Sequence, residues 1–173
     1  MLSYFTKEKY MCTTNNDEFD YQVLNLTEQF YLDYPDPPYK EIIRKKNRPY
    51  NCLLIQSHYG YFICIPYRSH IRHKYAYHFK NSIRSINNHS GLDYTKIVIV
   101  KNKAYIGISD AIIDADEYKE TRDNIKFIKN DAQSYIDNYV NHICNNSHIN
   151  DQRKFNRIYG FSTLKYFHEE LGI

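Results

Sequence analysis

Tyr50-Asn51-Cys52-Leu53-Leu54-Ile55-Gln56 is a short apolar run, Ser57-His58-Tyr59-Gly60 supplies turn residues, and Tyr61-Phe62-Ile63-Cys64-Ile65 brings the chain back before Pro66. Strand-favouring residues on both sides of turn chemistry read as a β-hairpin. Pro66 has no N–H for a ladder and is expected to end it. Further on, Thr95-Lys96-Ile97-Val98-Ile99-Val100, the turn Lys101-Asn102-Lys103 and Ala104-Tyr105-Ile106-Gly107-Ile108 read as a second hairpin. Two hairpins predict an antiparallel sheet. From about Asp116 to Cys144, the residues Tyr118, Thr121, Ile125, Ile128, Ala132, Tyr135, Tyr139 and Ile143 step by three and four. That spacing predicts one long amphipathic helix, ended by Asn145 and Asn146. Gly160 breaks the next segment, and Ser162 is placed to N-cap a short last helix turning Leu164, Phe167 and Leu171 inward. Tyr34-Pro35-Asp36-Pro37-Pro38 reads as a stiff connector. The expectation is an α+β fold, with residues 1–173 forming one compact domain.

A hydrophobic fraction of 42% and a charged fraction of 25% exclude wholesale disorder and a membrane-embedded body. The N-terminal residues Met1 to Lys9 show no basic stretch followed by an apolar one, and no later apolar run is long enough to cross a bilayer. The expected location is cytoplasmic. Cys12, Cys52, Cys64 and Cys144 have no Cys-x-x-Cys or zinc-type spacing and read as reduced thiols, with Cys52 and Cys64 as small half-buried hydrophobes. No metal and no cofactor is expected. The 19 Tyr and 9 Phe supply stacking faces, but Tyr belongs to the same A/T-rich codon group as the abundant Asn, Ile and Lys, so the count decides nothing.

The formal net charge is only +3, yet it is unevenly placed. Residues 1–41 hold three Lys and eight acids, residues 93–173 eleven Lys/Arg and twelve acids, and residues 42–92 no acid at all. That middle block contains Arg44, Lys45, Lys46, Arg48, Arg68, Arg72, Lys74, Lys80 and Arg84, and also five of the eight His: His58, His70, His73, His78 and His89. A run of +9 against −6 elsewhere is the footprint of a polyanionic partner. Because antiparallel strands return to where they began, Arg48 before the first strand and the Arg68 to Lys74 loop after the second are expected to be neighbours.

A patch without carboxylates has nothing to hold a hard cation, so chemistry there is expected to be metal-independent. Cutting RNA without metal needs the 2′-hydroxyl deprotonated toward phosphorus, the leaving 5′-oxygen protonated and the phosphoryl charge stabilised. Arg68, Arg72 and Arg48 suit the charge, since the guanidinium fork matches phosphate oxygens. His70 carries the side-chain type suited to proton transfer, as acid or base. Ser69 offers a hydrogen bond to a non-bridging oxygen. Arg44, Lys45, Lys46, His73, Lys74, Lys80 and Arg84 suit phosphate contacts, and Tyr75 suits base stacking. A binding module that does no chemistry needs only the arginines and tyrosines.

These residues resemble, in order along most of the chain, the endoribonuclease toxins of type III toxin-antitoxin systems, the ToxN and AbiQ group, and most closely its CptN branch. Tyr4 to Tyr10 resembles the family's opening strand, Arg48 to Ile55 its basic lead-in to an apolar strand, and Tyr61 to Lys74 its hairpin return into a hydroxyl-bearing basic loop. Gly91 to Val100 resembles the next strand, Phe127-Ile128-Lys129-Asn130 part of the long helix, and Phe161-Ser162-Thr163-Leu164 the opening of the C-terminal segment. The resemblance implies a strongly bent antiparallel sheet like that of the MazF and Kid toxins, packed by a long and a short helix. It implies cleavage of cellular mRNA to a 2′,3′-cyclic phosphate, a role in abortive infection, and inhibition by a small pseudoknotted antitoxin RNA in a multimeric toxin-RNA assembly. It places the family's basic residue at Arg48, its loop serine at Ser69 and its N-terminal tyrosine at Tyr10. The family loop commonly reads Thr-Ser-x-Lys, whereas this chain has Arg68-Ser69-His70-Ile71-Arg72, which leaves the charge or proton to Arg72 or His70.

Overall fold

A computed structural model describes residues 21–45, 50–144 and 151–173. The chain runs through β1 (Tyr21–Leu26), α1 (Glu28–Asp33), β2 (Asn51–Gln56), β3 (Phe62–Arg68), β4 (Ala76–His78), α2 (Ile83–Asn88), β5 (Gly91–Asp93), β6 (Val98–Val100), β7 (Ile106–Asp110), α3 (Ala115–Asp123), α4 (Ile125–Ile143), α5 (Gln152–Tyr159) and α6 (His168–Leu171). Among the described residues the fold is α+β, with a seven-stranded antiparallel sheet in the order β4-β5-β3-β2-β1-β7 and β6 pairing β3. None of the described helices is long and apolar enough to cross a membrane.

The hairpin forms as its sequence requires. Leu53 faces Ile65, Leu54 faces Cys64 and Ile55 faces Ile63, and Gly60 makes the turn at φ +77. Leu53, Ile55, Ile63 and Ile65 are fully buried, at about 1.5–3 kcal/mol each for the side chain withdrawn from water. Cys52 and Cys64 are free thiols, both fully buried rather than half-buried, and two residues out of register with each other.

Pro66 does not end the ladder. It lies inside β3, opposite Cys52. On its other edge β3 pairs β6 through residues 62–64 and β5 through residues 67–68, so the missing N–H falls where the strand changes neighbour.

The second hairpin is not formed either. Tyr94–Lys96 is a 3-10 turn, and β6 pairs β3 while β7 pairs β1. Val98, Ile99 and Val100 are all buried and sit beside the central strand, whereas Ile108 on β7 is exposed. Between them Asn102 caps a second 3-10 turn, Lys103–Tyr105, and Thr27 holds its carbonyls: the Thr27 N–H donates to Tyr105 O and Oγ1 to Ala104 O.

The expected long helix is two. Asn124 Nδ2 donates back to Glu120 O at 2.9 Å, a side-chain bond that competes with helical continuation and closes α3 before α4 begins. The apolar stripe holds on α4, where Ile128, Ala132, Tyr135, Ile136 and Tyr139 are buried. On α3 the buried residues are Glu117, Glu120 and Thr121. Ser162 caps the 3-10 turn Thr163–Tyr166 ahead of α6, with Leu164 and Phe167 fully buried. Asn145 and Asn146 lie outside the described residues.

Candidate functional site

Arg68 is the last residue of β3, and its Nη1 lies 2.7 Å from Asp93 Oδ2 at the end of β5. Asp93 is fully buried, and its Oδ1 accepts from Thr95 N and Oγ1 at 3.0 and 2.7 Å. His73 Nε2 stands 3.4 Å from the same oxygen. Burial pulls the Asp93 carboxyl pKa up, but hydrogen bonds from His73, Thr95 and Arg68 outweigh it, and the group is held below the ordinary carboxylate value. Gly91 lets β5 reach this position, because a Cβ there would stand 2.2 Å from the Tyr77 carbonyl oxygen.

The next residue, Ser69, is held from the opposite side. Arg84 on α2 donates from Nη2 to Ser69 Oγ and from Nη1 to Glu117 Oε2, each at 3.1 Å. Glu117 is fully buried and also accepts from Ser82 and Ser90. One turn along α3, Glu120 accepts the N–H groups of Lys80 and Asn81 and the Tyr77 hydroxyl, fixing the loop between β4 and α2. Tyr50, just ahead of β2, completes the surround. Burial raises its hydroxyl pKa, while the charges of Arg68 and Arg84 draw it back down. Lys45 Nζ sits 4.5 Å from the centre of the Tyr50 ring.

The loop beyond Ser69 is tied to the end of α2 through His70 N to Asn88 O at 2.6 Å and Ile71 N to His89 O at 3.1 Å. His70 takes a left-handed backbone, φ +60, and its side chain is exposed. Arg72 is exposed. Lys74 is exposed over the Tyr75 ring, 5.6 Å from its centre.

Arg68, Ser69, His73 and Arg84 therefore come together, with His70, Arg72, Lys74 and Tyr75 on the same loop. Arg84, expected only among the phosphate contacts, is central. Arg44 is spent elsewhere: its Nη1 donates to Tyr31 O, and the guanidinium packs 5.3 Å from the Tyr31 ring centre. The Lys80 side chain is exposed, its backbone held by Glu120. Tyr10, Lys46 and Arg48 lie outside the described residues, as does Cys12.

One expectation is overturned. The block without acids is not without acids in space, because Asp93, Glu117 and Glu120 fold in behind it. Their oxygens are engaged by arginines, hydroxyls and backbone N–H groups. Among the described residues no group of three or more His, Cys, Asp or Glu side chains could hold a metal ion. Asp93 was findable as the first acid after the block, and Glu117 and Glu120 as acids spaced three apart on one helix face. Tyr50 carried no signal.

Arg68 and Arg84, each bound to its own buried carboxylate, carry further N–H donors, and Ser69 keeps its own proton while accepting from Arg84. That arrangement can bind a tetrahedral oxyanion. The chain matches no family model, no curated protein and no solved structure.

Proposed function

We propose that this chain is a metal-independent endoribonuclease toxin acting on cellular mRNA in the cytoplasm and silenced by a small pseudoknotted RNA bound over the same basic residues. The observation that carries the reading is the Arg68–Ser69–Arg84 cluster: a hydroxyl bonded by Arg84 and next in the chain to Arg68, each guanidinium held by a buried carboxylate. The ordered resemblance to type III toxins supports it and brings the finer fold, a strongly bent MazF-like or Kid-like sheet.

In this reading the scissile phosphate sits on Arg68, Arg84 and Ser69, which hydrogen-bond its non-bridging oxygens as charge develops. The 2′-oxygen attacks phosphorus, the bond to the 5′-oxygen breaks, and the products are a 2′,3′-cyclic phosphate and a 5′-hydroxyl. His70 takes the 2′-proton. His73, placed by Asp93, is the neighbouring imidazole for returning a proton to the 5′-oxygen.

The test is cleavage of end-labelled RNA in EDTA by wild type, Ser69→Ala and His70→Ala, with RNA affinity measured in parallel. Cleavage by wild type that both variants lose while still binding RNA supports the enzyme. Cleavage that stops on chelation removes the metal-free mechanism. RNA binding without cleavage leaves a binding module.

A further inference from the structure

Beside the phosphate site, and sharing its loop, lies a cavity of about 310 Å³ lined by Lys74, Tyr75, Tyr94, Asp131, Tyr135 and Lys154, with further residues of α4 and α5 completing the wall. Its size falls at the lower end of the ~300–1,000 Å³ range of small-ligand clefts. Its walls are aromatic. The Tyr75 and Tyr135 ring centres are 6.1 Å apart, Tyr94 and Tyr135 6.5 Å, and Tyr135 and Tyr159 4.8 Å.

The polar groups are few and differ in state. Tyr159 donates its hydroxyl to Tyr135 O at 3.0 Å, and Tyr135 reaches Ile158 O at 3.4 Å. Tyr94 is only 2% exposed, and its buried hydroxyl faces the Asp131 side chain without forming a well-made hydrogen bond to it. The charge it faces is the Asp131 carboxylate, whose nearness, after burial itself, pushes the phenol pKa upward. A buried donor left unmade is costly unless a ligand completes it. Asp131, Lys74 and Lys154 are exposed at the rim.

The cavity is joined to the candidate catalytic cluster by direct structure. Tyr94 follows Asp93, which holds Arg68 and His73, and its N–H donates to Tyr75 O at 3.2 Å. The His73 and Tyr75 rings are 6.3 Å apart. A base in the cavity would belong to a nucleotide whose phosphate lies at or next to the cluster.

We infer that this cavity is the base-recognition subsite and that it takes guanine, with Asp131 accepting from N1–H and the N2 amino group and Tyr94 donating to O6. An ionised carboxylate is an acceptor only. Of the four bases, guanine alone presents two adjacent donors on its Watson–Crick edge, with an acceptor beside them for the waiting phenol. Adenine and cytosine offer one donor beside an acceptor, and uracil one donor between two acceptors. The tyrosine faces supply stacking, and Lys74 and Lys154 neutralise flanking phosphates.

The inference rests on the ribonuclease reading for its role but is tested apart from it. The full chain is titrated with GMP, AMP, CMP and UMP by protein-observed NMR, as wild type, Asp131→Asn and Tyr94→Phe. GMP is expected to bind at least about tenfold tighter than the other three, a preference that Asp131→Asn abolishes and Tyr94→Phe weakens. Asp131 is exposed, so its variant leaves the fold intact. Equal affinities, no binding of any nucleotide, or a GMP preference indifferent to Asp131→Asn overturns the inference. Cleavage mapping separates the two readings. RNA cut without regard to guanine removes this subsite and leaves the ribonuclease standing, whereas an Asp131-dependent GMP preference without RNA cleavage keeps the subsite and removes the ribonuclease.

Discussion

Glu117 on α3 and Arg84 on α2 are joined at 3.1 Å, and Arg84 passes the connection to Ser69 through its second nitrogen. The carboxylate is fully buried and the guanidinium about one-third exposed. Glu117→Gln keeps the size of the side chain and removes the charge that aims Arg84. The expected cost is about 1.5–3 kcal/mol, the range for a hydrogen bond to a charged group, read as a lower urea midpoint with unchanged slope. RNA cleavage is expected to fall further than stability explains, since Ser69 loses its fixed partner.

Asp93 imposes an acid limit. Its folded pKa is depressed, so the unfolded chain binds the proton at higher pH than the folded chain does. The stabilisation is fully present above the unfolded value of about 3.9 and is lost as pH falls from there through the folded pKa. Urea midpoints measured from pH 6 down to pH 2 are expected to drop below about pH 4. Asp93→Asn, already less stable at pH 6, shows a shallower drop.

Two glycines separate sterics from backbone conformation. At Gly91 an added methyl meets the Tyr77 carbonyl oxygen, so Gly91→Ala must push β4 and β5 apart, at about 1–3 kcal/mol. At Gly60 there is open space but φ is +77, so Gly60→Ala costs about 1–2 kcal/mol through conformation alone. Thermal melts are expected to show both losses, while only Gly91→Ala disturbs RNA binding, because Arg68 pairs with Gly91 in register.

His70 is held at φ +60 next to the serine. His70→Gly relieves the left-handed penalty and is expected to raise stability by about 1 kcal/mol, while RNA cleavage is lost. A variant more stable and still active removes His70 from proton transfer.

The β2–β3 hairpin was legible because the unbroken apolar runs Leu53-Leu54-Ile55 and Ile63-Cys64-Ile65 suit strands buried on both faces, and Ser57 to Gly60 supply turn residues. Pro66 was misread because its effect depends on which neighbour a strand has at that residue, and pairing partners are distant in sequence. The break at Asn124 depended on one side-chain bond, which periodicity does not register. The cationic loop was readable from charge alone. The carboxylates behind it were not, since Glu117 and Glu120 come from a helix whose docking no local pattern declares.

The change of partner at Pro66 has a dynamic meaning. Among the described residues β4 and β5 meet the rest of the sheet through the pairs Tyr67↔Leu92 and Arg68↔Gly91, beyond the point where β3 leaves β6. For β4 and β5 to part from the sheet, those two pairs must open together with the Arg68–Asp93, Glu117 and Glu120 contacts, while the β1–β2–β3 ladder is left whole. The amides of residues 76–78 and 91–93 are therefore expected to exchange with solvent ahead of those of Leu53 and Ile63, which hydrogen exchange checks.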